Sequence, residues 1–224
     1  MTVPTLKVAE LFYSPQGEGR RAGEPSIFVR LTGCSAKHAC YETGVRCDTE
    51  FESGAVMTME AIEAWIAEHA PTCRWIIWTG GEPTDQLTAA HVAHFKALGM
   101  LQAIETSGIR VPPVGLDWVC VSPKVAEHVM AKNWADYRVD VPTVTTDGLG
   151  AAITCRYHVH ELRYVRHVGQ AIPQPALTAL HYYLSPHSDG FTINRDNVRH
   201  CLELVKAHPQ WALSVQQHKI WQVL

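Results

Sequence analysis

No run of 18 uninterrupted apolar residues occurs anywhere in the 224-residue sequence, so no segment reads as a membrane-spanning helix. There is also no stretch of Lys and Arg long enough to form a basic tail. Basic residues number 19 and acidic ones 22, for a net charge of −3. Phosphate binding needs clustered positive charge, so a broad nucleic-acid surface is not expected. The opening MTVPTLKVAELFYS lacks a basic region followed by an apolar one, so no signal peptide is expected, and the cytoplasm, where thiols stay reduced, is the expected location. Internal repeats, low-complexity tracts and linkers are missing too. Hydrophobic residues make up 46% of the chain. That is enough for one packed domain over 1–224 without disulfide or metal staples.

Cysteine is present in an odd number, seven. Cys34, Cys40 and Cys47 fall within fourteen residues, while Cys73, Cys120, Cys155 and Cys201 are scattered. In a reducing compartment a local cluster reads as a metal site rather than a disulfide frame. Thiolates are soft ligands suited to iron–sulfur clusters, zinc or copper(I). Three ligands leave a position open, which suits a [4Fe–4S] cluster with one free iron better than a closed structural zinc site. Buried structural thiols are the plainer alternative, but the intervening Ser35-Ala36-Lys37-His38-Ala39 is polar. Zinc with His38 as fourth ligand remains open on local grounds.

Apolar runs alternate with helical patterns. Ile27–Leu31 reads as a strand, 58–69 as a helix capped by Thr58, and Trp75–Trp78 as a buried strand ending at Gly80-Gly81. A helix over 87–98 ends at Gly99. Strands are expected at Leu101–Glu105, Asp117–Val121, Leu162–Val165, His181–Leu184 and Trp211–Val215. A helix marked by Val198, Cys201, Leu202 and Val205 precedes Pro209. This alternation implies a mostly parallel α/β sheet. Polar and glycine-rich clusters follow the strands at Thr32-Gly33-Cys34, Thr79-Gly80-Gly81-Glu82, Thr106-Ser107-Gly108 and Ser122-Pro123-Lys124, where α/β barrels build their sites. Residues 125–157 lack periodicity and read as an insertion over one face. On the strand Ile27–Leu31, alternation puts Phe28, Arg30 and Thr32 on one face. A guanidinium there needs an anion if buried; from the residues alone, a surface ion pair at the sheet edge is the plainer expectation.

Several short pieces acquire meaning together. In Thr79-Gly80-Gly81-Glu82-Pro83 the glycines allow close approach to the backbone and Glu82 can receive an ammonium group; alone this is a common strand-end turn. Ser14-Pro15-Gln16-Gly17-Glu18-Gly19 alone reads as a surface turn, and Gln216-Gln217-His218-Lys219 as a solvated strand end. With Cys47-Asp48-Thr49 and the Cys34 loop, they resemble the radical S-adenosylmethionine superfamily. The fuller set resembles the 7-carboxy-7-deazaguanine synthase family within it: FYSPQGEG (12–19), FVRLTGC (28–34), CDTEF (47–51), TGGEP (79–83), AIETSG (103–108), VCVSPK (119–124), HELRYV (160–165) and HPQWALSVQQHK (208–219). The pieces span most of the chain. Two positions depart from the pattern. The cysteines are spaced C-x5-C-x6-C rather than C-x3-C-x2-C, with Gly44 where the middle cysteine would stand. Ser185 precedes Pro186 where a glutamine is usual.

The resemblance implies a modified, incomplete (β/α) barrel of TIM-like type, open on one side, in a homodimer. It implies a carbon–nitrogen lyase that contracts the ring of 6-carboxy-5,6,7,8-tetrahydropterin to 7-carboxy-7-deazaguanine with loss of ammonia, a step toward queuosine-type 7-deazapurines. The cofactors implied are one [4Fe–4S] cluster on Cys34, Cys40 and Cys47, S-adenosylmethionine, and Mg2+ on Thr49. An electron donor of the flavodoxin or ferredoxin type is implied as partner. No protein acid or base is assigned, because the radical comes from cluster and cofactor. Gly80, Gly81 and Glu82 are implied at the methionine moiety. Arg46, Cys47, Asp48, Ser122, Pro123, Lys124 and the stretch Pro186, His187, Ser188, Asp189 are implied at the rest of the cofactor. Pro15, Gln16, Gly17, Thr79, Glu105 and His218 are implied to read the pterin. Arg30 is implied to hold its carboxylate, with the terminal carboxylate of Leu224 in reach. Two alternatives stay open: a radical activase acting on a partner protein, and a non-catalytic Cys3His zinc module.

Overall fold

The computed structural model describes residues 4–42, 47, 50–144, 152–188, 190 and 192–223. Arg46, Asp48, Thr49, Asp189 and Leu224 lie outside the described residues. The strands are β1 (Thr5–Pro15), β2 (Pro25–Leu31), β3 (Ala55–Thr58), β4 (Trp75–Gly80), β5 (Leu101–Thr106), β6 (Trp118–Val121), β7 (Val139–Val144), β8 (Ala152–Tyr157), β9 (Val159–Arg166), β10 (Ala179–Pro186) and β11 (Trp211–Leu213). The helices are α1 (Lys37–Glu42), α2 (Met59–His69), α3 (Ala89–Ala97), α4 (Glu127–Asn133), α5 (Arg195–Ala207) and α6 (Gln217–Trp221).

Nine strands form one sheet in the order β11-β10-β9-β6-β5-β4-β2-β1-β3. From β2 to β11 every neighbouring pair is parallel. The sheet becomes antiparallel only where β1 joins β2 and β3 joins β1. Helices cover the outer face. Met59 and Ile62 of α2, Val92 and Phe95 of α3 and Cys201 of α5 share one core with Val29, Leu31, Ile76, Trp78, Ile104, Val119, Leu162 and Leu184. Strands buried on both faces read as nearly continuous apolar runs, which is why β2 and β4 stand out in the sequence. Thr58 caps α2 by accepting from the Ala61 N–H, and Asn194 caps α5 by accepting from Asp196 and Asn197.

The inner face is layered by register. Phe12, Phe28, Ile77, Ala103 and Trp118 stand side by side across β1, β2, β4, β5 and β6, with Phe12 and Phe28 stacked at 4.7 Å. Two residues further along β2, β4, β5 and β6 the row turns polar. Glu10 pairs with Arg30, Arg30 with Thr79, Glu105 with Cys120, Cys120 with Glu161, and Glu161 with His181. Trp78 pairs with Ile104, which sets Thr79 level with Glu105. Side chains arranged in rows across strands are how a curled parallel sheet fills its interior.

That the sheet curls follows from distance. Five strand steps separate β1 from β9, about 24 Å in a flat sheet at roughly 4.8 Å per step. The turn after β1 leaves at Pro15 and returns to β2 at Pro25, so its tip can reach about 18 Å at most. Yet the Arg20 N–H donates to Glu161 Oε1 on β9 at 3.1 Å, and the Gly19 N–H to Ser214 Oγ beyond β11 at 2.9 Å. The strand pairing leaves β3 and β11 as the two edges.

Two expectations change. The segment 125–157 is not wholly laid over one face. Met130 and Trp134, in and just after α4, are fully buried in the main core, and the Trp134 indole donates to the Gly108 carbonyl at 2.8 Å. A seven-residue helix is too short to display its period. Val139–Val144 and Ala152–Tyr157 form a two-stranded antiparallel sheet, β7 with β8. His218 lies not at a strand end but in α6, because β11 stops at Leu213 and the Ser214 N–H still donates to the Leu184 carbonyl at 2.9 Å. No helix among the described residues is long and apolar enough to cross a membrane.

Candidate active site

The loops at the C-terminal ends of β2, β4, β5 and β6 are bolted together by their backbones. The Gly81 N–H donates to Leu31 O at 3.0 Å and the Glu82 N–H to Gly33 O at 2.9 Å. The Ser122 N–H donates to Thr106 O at 2.8 Å and the Lys124 N–H to Ser107 O at 3.1 Å. Gly80 adopts φ +117°, a region that L side chains rarely enter. At Gly81 a Cβ would come 2.6 Å from the carbonyl carbon of Gly33 and 3.1 Å from Cys34 Cβ. The glycines of the TGGEP turn are therefore demanded first by neighbouring backbone, Gly80 by Leu31 at the end of β2 and Gly81 by the Gly33-Cys34 loop, before any ligand approaches.

Glu82 is fully buried, and its carboxylate faces inward. One oxygen accepts from Thr84 N at 3.1 Å, Thr84 Oγ1 at 2.7 Å and Thr106 Oγ1 at 2.6 Å. The other accepts from Ser107 N at 2.9 Å and from the Ser107 hydroxyl. The expectation that this side chain receives an ammonium group does not match a carboxylate so fully engaged. Unpaired buried charge is costly, and five donors supply the compensation here. The carboxylate ties the β4 loop to the β5 loop.

Cys34 and Cys40 are half-buried and Cys47 is exposed. Burial pushes the Cys34 thiol up to about 11; the Ala36 N–H counteracts it, and Glu82, Cys40 and Cys47 add to it. Burial likewise raises the Cys40 thiol, with Lys124 opposing and Cys47 and Glu82 adding. Both half-buried thiols thus lie within electrostatic reach of Cys47 and Glu82, and Cys40 also of Lys124. No group of three or more His, Cys, Asp or Glu side chains among the described residues is gathered closely enough for a bare metal ion, and His38 is exposed. A cubane cluster several ångströms across holds its thiolates further apart than one ion does. Three soft donors on one side of a glycine-lined floor fit such a group.

Beneath this rim lies the polar row. Arg30 is ion-paired to Glu10 through Nη1, with its guanidinium 4.9 Å from the Phe12 ring centroid. Gln16 and Gly17 are buried and Pro15 is exposed. The Gln16 amide donates to Glu105 Oε1 at 3.1 Å and accepts from Glu18 N at 3.1 Å. Gly17 lies against His218: a Cβ there would come 2.8 Å from the imidazole Cγ, and the Gln217 N–H donates to Gly17 O at 2.9 Å. Along the far rim Pro186 is buried, and His187 stacks on His167 at 4.2 Å.

Sequence reasoning passed over Glu161 and Arg163, both buried on β9. Arg163 Nε donates to Glu161 Oε2 at 2.9 Å and Nη1 to Glu105 Oε1 at 3.0 Å, with Glu18 at 3.9 Å. Glu161 also accepts from the Trp118 indole at 2.8 Å. Burial works against the guanidinium's charge, but Cys120, Glu161, Glu105 and Glu18 together raise its pKa well above the usual arginine value. The signal was available: charges two apart in HELRYV share one face of a strand that also carries Val159, Leu162 and Val165, and such a pair must be compensated inside.

No family model matches the chain. It is 34% identical to the 7-carboxy-7-deazaguanine synthase of Caulobacter vibrioides, covering 96% of this chain and 97% of that one. It is 34% identical to the Bordetella pertussis protein of the same name (95% and 96% covered) and 32% to that of Bacteroides thetaiotaomicron (96% and 96%). Its fold matches the crystal structure of QueE from Escherichia coli with a TM-score of 0.59 at 22% identity, over 96% of this chain and 95% of that one. With full-length similarity of this degree, and with the cysteine loop, TGGEP turn and polar row in place, the chain belongs to the 7-carboxy-7-deazaguanine synthase family of radical S-adenosylmethionine enzymes.

Proposed function

We propose that this protein converts 6-carboxy-5,6,7,8-tetrahydropterin to 7-carboxy-7-deazaguanine with release of ammonia. The observation that carries the reading is the stacking of two sites: the thiols of Cys34, Cys40 and Cys47 on the rim, and a row holding Arg30, Thr79 and Glu105 directly below. When bound, the cluster and S-adenosylmethionine supply a 5′-deoxyadenosyl radical. Cys34, Cys40 and Cys47 would hold the cluster. Backbone groups around Gly80 and Gly81 would meet the methionine moiety, since the Glu82 carboxylate is already engaged. Ser122, Pro123, Lys124 and the stretch from Pro186 onward would line the remainder of the cofactor. Thr79, Glu105, His218 and the turn at 15–17 would read the pterin. Arg46, Asp48, Asp189 and Leu224 keep their proposed roles on the resemblance alone. So do the homodimer, the cytoplasmic location and an electron donor of flavodoxin or ferredoxin type. The test is anaerobic turnover with S-adenosylmethionine, reductant and the tetrahydropterin. Formation of the deazaguanine with equimolar ammonia is expected; a protein with full iron content and no such product sinks the reading.

Arg30 would take the pterin carboxylate. Among the described residues only its Nη1 is hydrogen-bonded, to Glu10, so the other arm can take an anion. Arg30→Lys keeps the charge but loses the planar fork. Binding of the carboxypterin should weaken by roughly 1–3 kcal/mol, the scale of a charge-assisted hydrogen bond, with cofactor binding nearly untouched. Normal binding in that variant, or equal binding of a pterin without the carboxylate, removes Arg30 from the site.

Magnesium is proposed at Thr49, a hard cation on a hydroxyl oxygen completed by substrate oxygens and waters. Thr49→Ala should lose the magnesium stimulation of turnover yet keep its iron. An unchanged magnesium response would discard the assignment.

A further inference from the structure

Glu105 is held on one side only. Its Oε1 accepts from Arg163 Nη1 at 3.0 Å and from Gln16 Nε2 at 3.1 Å. Its Oε2 has no partner among the described residues, and the side chain remains 27% exposed. Arg163 cannot swing away. It is 7% exposed, clamped by the fully buried Glu161, which also accepts from Trp118 and from the Arg20 backbone. Gly19 closes the other side: a Cβ there would come 2.9 Å from Arg163 Nε. The donors that hold Glu105 among the described residues thus all act on Oε1, which leaves Oε2 for a ligand at this partly exposed side chain.

Resting on the pterin reading above, we propose that Arg163, locked by Glu161, is a positioning residue for substrate selection. It pins one oxygen of Glu105 so that the other accepts from the 2-amino group of the bound pterin. An ionised carboxylate fixed in this way favours a donor at that position. It disfavours an oxygen there, because two acceptors would then face each other.

The test is equilibrium binding to the anaerobically prepared, S-adenosylmethionine-loaded protein, using 6-carboxypterin and 6-carboxylumazine, which carries a 2-oxo group instead of the amino group. The unaltered protein should prefer the pterin. Arg163→Gln should lower pterin affinity about tenfold or more, the loss expected for one charge-assisted hydrogen bond, and leave lumazine affinity nearly constant. Glu105→Gln should lose the same preference, and the double variant should lose no more than Glu105→Gln alone. Arg163→Lys keeps a cation among the carboxylates, and so keeps the fold. It should lose part of the preference, since an ammonium lacks the fork that bridges Glu161 and Glu105. If the Arg163 variants weaken both ligands by the same factor, or add their full loss to Glu105→Gln, Arg163 is a structural residue and the proposal fails while the pterin reading stands. If the unaltered protein binds neither ligand, the pterin reading itself fails, and this inference with it.

Discussion

Gly81→Ala should yield little folded protein, and what folds should not retain iron. The Gly81 N–H is bonded to Leu31 O, and the next residue reaches Gly33 O. A methyl group at this point overlaps the Gly33 carbonyl. Neither side can retreat cheaply. Gly33 sits at φ +79° with its N–H committed to Phe51 O at 2.8 Å, and the next residue in line is Cys34. Relief requires prising the end of β4 away from the end of β2, which breaks at least two buried backbone bonds and moves the first thiol. Each buried group left unpaired costs about 1–3 kcal/mol, against a total stability of roughly 5–15 kcal/mol. Gly23→Ala is the control. It also has positive φ, +88°, but nothing lies within 4 Å of its Cβ position. It should cost only about 1–2 kcal/mol, the backbone penalty for a side chain in that region. Thermal unfolding followed by circular dichroism, with iron per chain on the same samples, separates the two. A Gly81→Ala protein that melts and binds iron like the parent would show that the two loops are not locked.

Alanine at Cys34, Cys40 or Cys47 should take iron from a full complement to background, and turnover with it. Alanine at Cys73, Cys120, Cys155 or Cys201 should not. The second group is placed apart from the rim. Cys73 spends its thiol on the carbonyls of Pro25 and Trp75. Cys120 lies beside Arg163 in the interior, Cys201 is buried under α5, and Cys155 is on β8. A thiolate ligand must be deprotonated, and the high pKa of the buried Cys34 thiol means the apoprotein holds protons that a cluster must displace. Iron loading, followed by iron per chain against time, should accordingly slow as pH falls, because the raised thiols of Cys34 and Cys40 must give up protons. Full iron in Cys40→Ala would transfer the third ligand elsewhere, and stoichiometric zinc without iron in the unaltered protein would replace the cluster altogether.

The parallel strands were legible because burial on both faces writes them as apolar runs. β1 was not, and its register explains why. A bulge between Val8 and Glu10 turns the strand over. Leu6 and Val8 therefore face the helices while Phe12 faces the inner row, although all three occupy even positions. No single alternation describes the strand. The cysteine loop and TGGEP could be read because each carries its chemistry within a few consecutive residues. The Glu18–Glu105–Glu161–Arg163 group could be read only in part: the Glu161–Arg163 pair shows as charges two apart on β9, but its joining to Glu18 and Glu105 does not show. Its members come from a turn and two strands that meet only because the sheet curls. Glycine was ambiguous for a different reason: at Gly80 and Gly81 the sequence records the need for a close approach, and a neighbouring backbone creates that need as readily as a ligand does.

The bond from Gly19 to Ser214 joins residues 195 apart in the chain, and Gln217 closes on Gly17 in the same place. Loop closure over such separations is what makes a topology slow to fold. During synthesis the β2–β4–β5 neighbourhood can pair early, since its members leave the ribosome well before residues 214–218 and close far shorter loops. The 16–20 turn must wait for residues 214–218 before its inner side is covered. The substrate end of the interior should therefore be the last region to gain hydrogen-exchange protection on refolding, after the cysteine rim, so that the chain is ready to receive iron before it is ready to hold a pterin.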